Sequence, residues 1–188
     1  MPDDEPSGRH RLSGWLQEKL FERRIVLVTG PLDHDLAAET AAAVMALDSL
    51  ADQPIDLHLD SPGGPLEAAF ALIDTIDRLH ATLRAHCRGQ VGGPAIGVVV
   101  AADQRSAGPH TRFRLFQPTA QLSGTPDEIA AHSRQQQDLL WRLHARLAQR
   151  TGRPAEEIAE DMRRGRHLDA REALDYGLID DISTGPTH

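Results

Sequence analysis

Gly89-Gln90-Val91-Gly92-Gly93-Pro94-Ala95-Ile96-Gly97, running on into Val98-Val99-Val100-Ala101-Ala102, is a glycine-dense turn that feeds a small apolar helix. In an α/β fold this is where a reactive group is commonly held. Glycines let backbone approach a ligand closely, and a helix N-terminus offers unpaired N–H donors to negative charge. This turn presents no nucleophile, because no Ser, Cys, Thr or Lys stands between Gln90 and Val100. Pro94, next to the glycine pair, has no N–H to donate.

Upstream of the turn the chain alternates strand and helix. Arg24-Ile25-Val26-Leu27-Val28 is a buried-type strand ending at Gly30-Pro31, and Asp35 to Ala51 reads as an Ala-rich helix with apolar Leu36, Ala43, Val44 and Leu47. Asp33-His34-Asp35 is better read as a helix start than as a metal triplet. Ile55-Asp56-Leu57-His58-Leu59 alternates as a strand, and Asp60-Ser61-Pro62-Gly63-Gly64 turns it into a helix from Leu66 to about His80. Leu83 to Cys87 is a third strand that meets the organising turn. Strand–helix repetition of this kind predicts a mostly parallel sheet with helical crossovers. Before it all, Trp15 to Phe21 is a short amphipathic segment with Trp15, Leu16, Leu20 and Phe21 on one side.

Downstream the pattern changes. Phe113-Arg114-Leu115-Phe116 is a brief strand closed by Gln117-Pro118. Pro126 to Arg150 is one long helix, with Thr125 as its N-cap and Gly152 as its stop. Its apolar stripe of Ile129, Leu139, Leu140, Leu143 and Leu147 is broken by Gln135-Gln136-Gln137, so the helix is expected to project and pack on a neighbour. Pro154 to Arg163 and Ala170 to Tyr176 are shorter helices, the last capped by Gly177.

Composition narrows the functional classes. The chain of 188 residues is one domain's worth, 40% hydrophobic and 26% charged, which are globular values. A formal net charge of −8 argues against nucleic acid or an anionic membrane surface as partner. Lys19 is the only lysine among the basic residues, and the single Cys87 excludes an internal disulfide and fits a reducing cytoplasm. No apolar run reaches the ~18 residues of a membrane span, and the acidic N-terminus is no secretory signal. His110, His132, His144 and His167 have no metal-ligand spacing, so neither a metal nor a cofactor is expected. Cys87 reads as a buried structural thiol and Ser61 as a turn hydroxyl.

In their order, four stretches resemble the proteolytic subunit of the Clp protease, ClpP, over roughly residues 13–182. They are Phe21-Glu22-Arg23-Arg24-Ile25-Val26, Asp60-Ser61-Pro62-Gly63-Gly64, Gly89-Gln90 and Phe116-Gln117-Pro118, the last continuing through Thr151-Gly152 and Ala170 to Asp180. From Gln117 to Ile182 the family pattern is matched without a gap. The resemblance implies the ClpP/crotonase fold, an α/β spiral with a projecting handle helix over about 126–150. Residues 1–12 then form a mobile N-terminal segment and 183–188 a tail. It also implies ring assembly through the handles, as a heptamer or a stacked tetradecamer capped by an ATP-driven unfoldase.

The family's chemistry is a Ser-His-Asp triad with a backbone oxyanion hole, in which His takes the Ser proton and Asp fixes His. Carried over residue by residue, the serine position falls on Gly93, the histidine position on Phe116 and the aspartate position on Gly165. The oxyanion hole is reduced to the Gly63-Gly64 side, since the other donor is Pro94; one lost donor typically costs ~10²–10³ in rate. The positions of the family's aromatic unfoldase-docking pocket fall on Asp56, His58 and Arg78. An apolar docking loop there forfeits about 1.5–3 kcal/mol per anchoring side chain. The chain therefore reads as a pseudoprotease, similar to the catalytically degenerate ClpR-like paralogues, acting in a ring of its own or mixed with an active ClpP.

Two other readings stand beside it. One is a crotonase-like enzyme or acyl-CoA-binding protein, supported by the spacing of Asp103, Ala107-Gly108 and Phe113 but lacking a Glu in the turn. The other is an active serine peptidase with a relocated pair, Ser106 with His110 or Ser61 with His86.

Overall fold

A computed structural model describes residues 13–118 and 124–183 of the chain. The expected mobile segment 1–12 and all but the first residue of the tail 183–188 lie outside the described residues.

Strand and helix alternate as the apolar patterning dictates. In chain order the elements are α1 (Gly14–Glu22), β1 (Ile25–Thr29), α2 (His34–Leu50), β2 (Ile55–Ser61), α3 (Leu66–Ile76), β3 (Leu83–Gly92), α4 (Pro94–Ala101), β4 (Gln104–Ala107) and β5 (Arg112–Arg114). There follow α5 (Pro126–Thr151), α6 (Ala155–Arg164), β6 (His167–Leu168), α7 (Ala170–Tyr176) and β7 (Asp181–Ile182). The main sheet runs β1-β2-β3-β4-β7, all parallel, as helical crossovers require. β5 joins β3 in parallel and carries β6 antiparallel. This is the α/β architecture that the sequence resemblance implies.

Period-2 burial decides which face does what. In β2, Ile55, Leu57, Leu59 and Ser61 are buried, while Asp56, His58 and Asp60 between them are only half-buried. Ile55, Leu57 and Leu59 join one core with Val26 and Val28 of β1, Leu72 and Ile73 of α3, the apolar α4, and Leu143 and Leu147 of α5. Val98, Val99 and Val100 of α4 are fully buried, so this short helix is a core element and not a surface one.

β3 extends five residues past the expected Cys87, so Gly89 and Gln90 belong to the strand and not to the turn after it. Its pairing with β2 slips between Leu59 and Ser61, which places a bulge at Arg88–Gln90. Below the bulge β3 pairs with β4, and above it with β5, so the sheet forks there. Gly89 suits this point in two ways: its φ is 55°, and a Cβ would stand 2.6 Å from the Asp60 carboxylate, which accepts the Gln90 N–H at 3.1 Å.

Other boundaries also differ. α3 ends at Ile76 and not His80, because Arg78 and Leu79 donate to Thr75 and Ile76 in tightened i→i+3 turns. β5 stops at Arg114, and Phe116 lies beyond the strand. In α1, Leu16, Leu20 and Phe21 are half-covered but Trp15 is 67% exposed, so it does not share their packing.

Ends predicted from capping residues agree closely. Asp33 caps α2 by accepting the Leu36 N–H at 2.9 Å. Thr125 and Glu128 form a capping box at α5, and Gly152 closes that helix in the left-handed conformation. Only Leu143, His144 and Leu147 of α5 are buried. Its C-terminal half docks on the core, and Ile129 and Trp141 remain exposed at 37% and 51%. Arg24 holds the far end of α2: its guanidinium donates to the carbonyls of Leu47, Ala51, Gln53 and Pro54 at 2.7–3.1 Å.

Candidate functional site

β3 enters α4 through a single residue, Gly93, at φ 46°, ψ −128°. Such a sharp strand-to-helix bend is the backbone form in which α/β folds expose a nucleophile, and it strains any residue with a Cβ. Here the space a side chain would need is taken. A Cβ on Gly93 would lie 2.9 Å from Cε1 and Cζ of the Phe116 ring, and one on Gly92 3.0 Å from Cε1. The Gly93 N–H donates to Arg114 O at 2.9 Å, so the bend is anchored to β5.

The structure thus brings Gly93 and Phe116 into contact. Gly165 is the left-handed C-cap of α6, and a Cβ there would stand 4.0 Å from Nη2 of Arg114. The Arg114 guanidinium in turn sits 5.0 Å from the centroid of the Phe116 ring. Arg114 is therefore the bridge between Gly165 and Phe116, and sequence reading did not single it out. Its position two residues before Phe116 was the available signal, since alternation carries both to one side.

On the other wall, a Cβ on Gly63 would meet Gly92 O at 2.7 Å and Pro94 Cδ at 3.4 Å, so the glycine turn after β2 abuts the bend. Gly64 lies against the Leu32 carbonyl. The Gly63 N–H donates to Ser61 Oγ at 3.2 Å, and Ser61 is fully buried. That hydroxyl is a turn group, as expected. Pro94 occupies the first position of α4.

The half-buried face of the sheet carries a second polar cluster. His86 Nδ1 lies 2.8 Å from Ser106 Oγ, and His86 Nε2 lies 3.0 Å from Asp56 Oδ1. Arg84 Nη2 donates to Asp56 Oδ2 at 2.8 Å. Partial burial pushes the Asp56 carboxyl up, but the hydrogen bonds of His86 and Arg84 and the charge of Arg84 outweigh it, and its pKa falls below the ordinary 3.8. The His58 ring is tilted against His86 at 4.9 Å, and burial, with Arg88 and His86 nearby, lowers His58 to about 4.

Neither Ser–His pairing considered from sequence forms. Ser106 meets His86 and not His110, which sits exposed in the β4–β5 loop. Ser61 bonds within its own turn, and both ring nitrogens of His86 are engaged elsewhere. The register explains the miss: His86 and Ser106 are direct partners on parallel strands, a relation set by pairing and not by sequence spacing. Of the expected docking positions, Asp56 and His58 share this face. Arg78 is exposed just past α3, and the arginine paired with Asp56 is Arg84.

Cys87 is 1% exposed, and burial pushes its thiol up to about 12 despite Arg105 nearby, as a structural cysteine requires. Among the described residues no three His, Cys, Asp or Glu side chains gather as metal ligands, and no helix is long and apolar enough to cross a membrane.

A parallel sheet, a strand-to-helix bend walled by a glycine turn, and a long capped helix define an α/β protein of the architecture that the sequence resemblance implies. The sequence comparisons agree. Residues 9–186 match the Clp protease family, to which the chain belongs. It is 34% identical to an ATP-dependent Clp protease proteolytic subunit-like protein of Streptomyces coelicolor, over 96% of this chain and 93% of that one. It is 34% identical to an ATP-dependent Clp protease proteolytic subunit of Paracoccus denitrificans, over 85% and 81% of the two chains. A third relative, ATP-dependent Clp protease proteolytic subunit 3 of Rhizobium etli, is 32% identical over 89% and 88%.

Proposed function

We propose that this chain is a non-proteolytic member of its family, a structural or regulatory subunit of a ring assembly. The observation that carries the reading is the contact between Phe116 and Gly93. The bend keeps the backbone form that would display a nucleophile, yet a glycine occupies it and an aromatic ring fills the space above. A phenyl ring takes no proton, so neither the attacking group nor its base is supplied at these positions. Pro94 offers no N–H to an oxyanion, and the Gly63 N–H is turned to Ser61. The same two features speak against an acyl thioester bound at the bend.

The ring itself rests on family membership and on α5, whose exposed Trp141 and Ile129 suit burial against a neighbouring handle. A heptamer or tetradecamer, alone or mixed with an active ClpP subunit, follows from that reading, as does a reducing, cytoplasmic setting for Cys87. Docking of a conventional unfoldase by an apolar loop on the face of Asp56 and His58 is disfavoured, because that face holds charge and imidazole where apolar burial is needed.

Native mass spectrometry of the untagged protein from its own cell tests the assembly. A ring mass, with or without a second ClpP-type subunit, is expected, and a monomer only overturns it. Peptide turnover that persists in Ser61→Ala protein overturns the loss of catalysis.

A further inference from the structure

The cluster on the open face of the sheet has a property its position does not require. Asp56, His86 and Ser106 come from three adjacent parallel strands and form one continuous hydrogen-bonded line, Asp56 Oδ1 to His86 Nε2 at 3.0 Å and His86 Nδ1 to Ser106 Oγ at 2.8 Å. The carboxylate accepts only, so a neutral His86 must carry its proton on Nε2. That leaves the Nδ1 lone pair facing the Ser106 hydroxyl. The alternative acceptor for that hydroxyl, Ala85 O, is 3.5 Å away and weaker. Arg84 holds the second carboxylate oxygen, which fixes Asp56 and through it the imidazole. The side chains of Asp56 and His86 are 21% and 33% exposed and Ser106 is half-buried, so solvent reaches part of each member of the line.

We propose that Ser106 is a base-activated nucleophile, with His86 as its general base and Asp56 as the residue that orients His86. Its substrates are small activated carboxylic esters. Constellations of this kind are recognised by geometry and roles and not by place in the sequence. Ser106 Oγ bonds to the ester carbonyl carbon while its proton passes to His86 Nδ1. The C–O bond to the leaving alkoxide breaks, and the alkoxide takes that proton. Water then hydrolyses the acyl-serine with His86 acting as base again, so nothing is oxidised or reduced. The backbone N–H groups of this stretch are committed to the sheet ladder, and no oxyanion hole accompanies the line. The acceleration is therefore that of a positioned base alone, about 10²–10⁴-fold. Labelling is accordingly easier to see than fast turnover.

The probe is a fluorophosphonate, which forms a P–O bond to an activated serine and expels fluoride. Untagged full-length protein is treated, and the adduct is located by intact mass and peptide mapping. The expected result is one adduct, on Ser106, absent in Ser106→Ala and formed at least tenfold more slowly in His86→Gln and Asp56→Asn. Circular dichroism melts show which variants are folded, and either of the two slow variants suffices if the other does not fold. An unlabelled Ser106, or labelling that proceeds equally fast in the folded variants, overturns the proposal. Labelling at Ser106 without peptide cleavage leaves the non-proteolytic reading intact, whereas peptide cleavage that survives Ser106→Ala defeats that reading and not this one.

Discussion

At the β3–α4 bend the chain turns sharply from strand into helix with a glycine at the tip and a phenyl ring against it. On the open face of the same sheet a serine, an imidazole and a carboxylate are aligned on flat strands, with no strained turn to display them. The first region has φ 46° at Gly93 with a phenyl ring against it; the second has hydrogen bonds of 2.8 and 3.0 Å through His86. The difference teaches that a sharp backbone bend and a line of paired polar side chains can sit apart on one sheet. The bend is built by β3 and α4, which also make the core, and its tip is a glycine because both the backbone conformation and the Phe116 ring exclude a Cβ there. The polar line depends on which residues alternate outward on three strands and on the register that sets them side by side.

The largest expected effect strikes the bend. Gly93→Ser places a Cβ on the Phe116 ring in a conformation that side chains resist, and should cost about 2–4 kcal/mol of stability. Adding Phe116→Ala should recover about 1–2 kcal/mol of it as a coupling term, read from denaturant melts of the two single variants and the double. Additive losses would mean that glycine and phenylalanine did not come to share one space. Neither variant gains peptidase activity, because Pro94 still withholds an N–H and no base has been introduced.

Acid should strike the other region next. His58 is held near 4 in the fold against an ordinary 6.5, so between those values the unfolded chain binds a proton that the folded chain does not. Stability should fall as pH drops from about 6.5 to about 4 and change little through this group at higher pH. Below the ordinary 3.8 of a carboxylate, neutralising Asp56, whose folded pKa is lowered, removes a further contribution. Melting temperature against pH checks both, and His58→Gln should flatten the upper window. A curve unchanged by that substitution contradicts the assignment.

The smallest effect is Ser106→Ala. The hydroxyl is half-buried and its main partner keeps Asp56, so the loss should stay within about 1 kcal/mol. A larger loss would make the line a stabilising network and weaken its claim to chemistry.

Much of this was legible in the sequence. The parallel sheet followed from alternating Ile55-Asp56-Leu57-His58-Leu59 and the helices between strands, and the long α5 from Thr125, Pro126 and Gly152 at its ends. Gly93 and Phe116 could be placed at one site because the family pattern aligns them, and they do touch. What could not be read was lateral. The β3 bulge at Gly89 depends on Asp60, a residue remote in sequence, and forks the sheet in a way no local pattern announces. Arg114 at the bend and His86 beside Ser106 are likewise products of register, and register is set by the whole sheet.

Peptide hydrolysis by untagged Ser106→Ala protein addresses the central claim most directly, since it removes the serine aligned with His86 and leaves the bend untouched. With a fluorogenic short peptide, the rate should equal that of buffer at every protein concentration. Turnover that scales with the protein and disappears on further substitution at Gly93, Phe116 or Pro94 would show that the bend is a working catalytic centre after all.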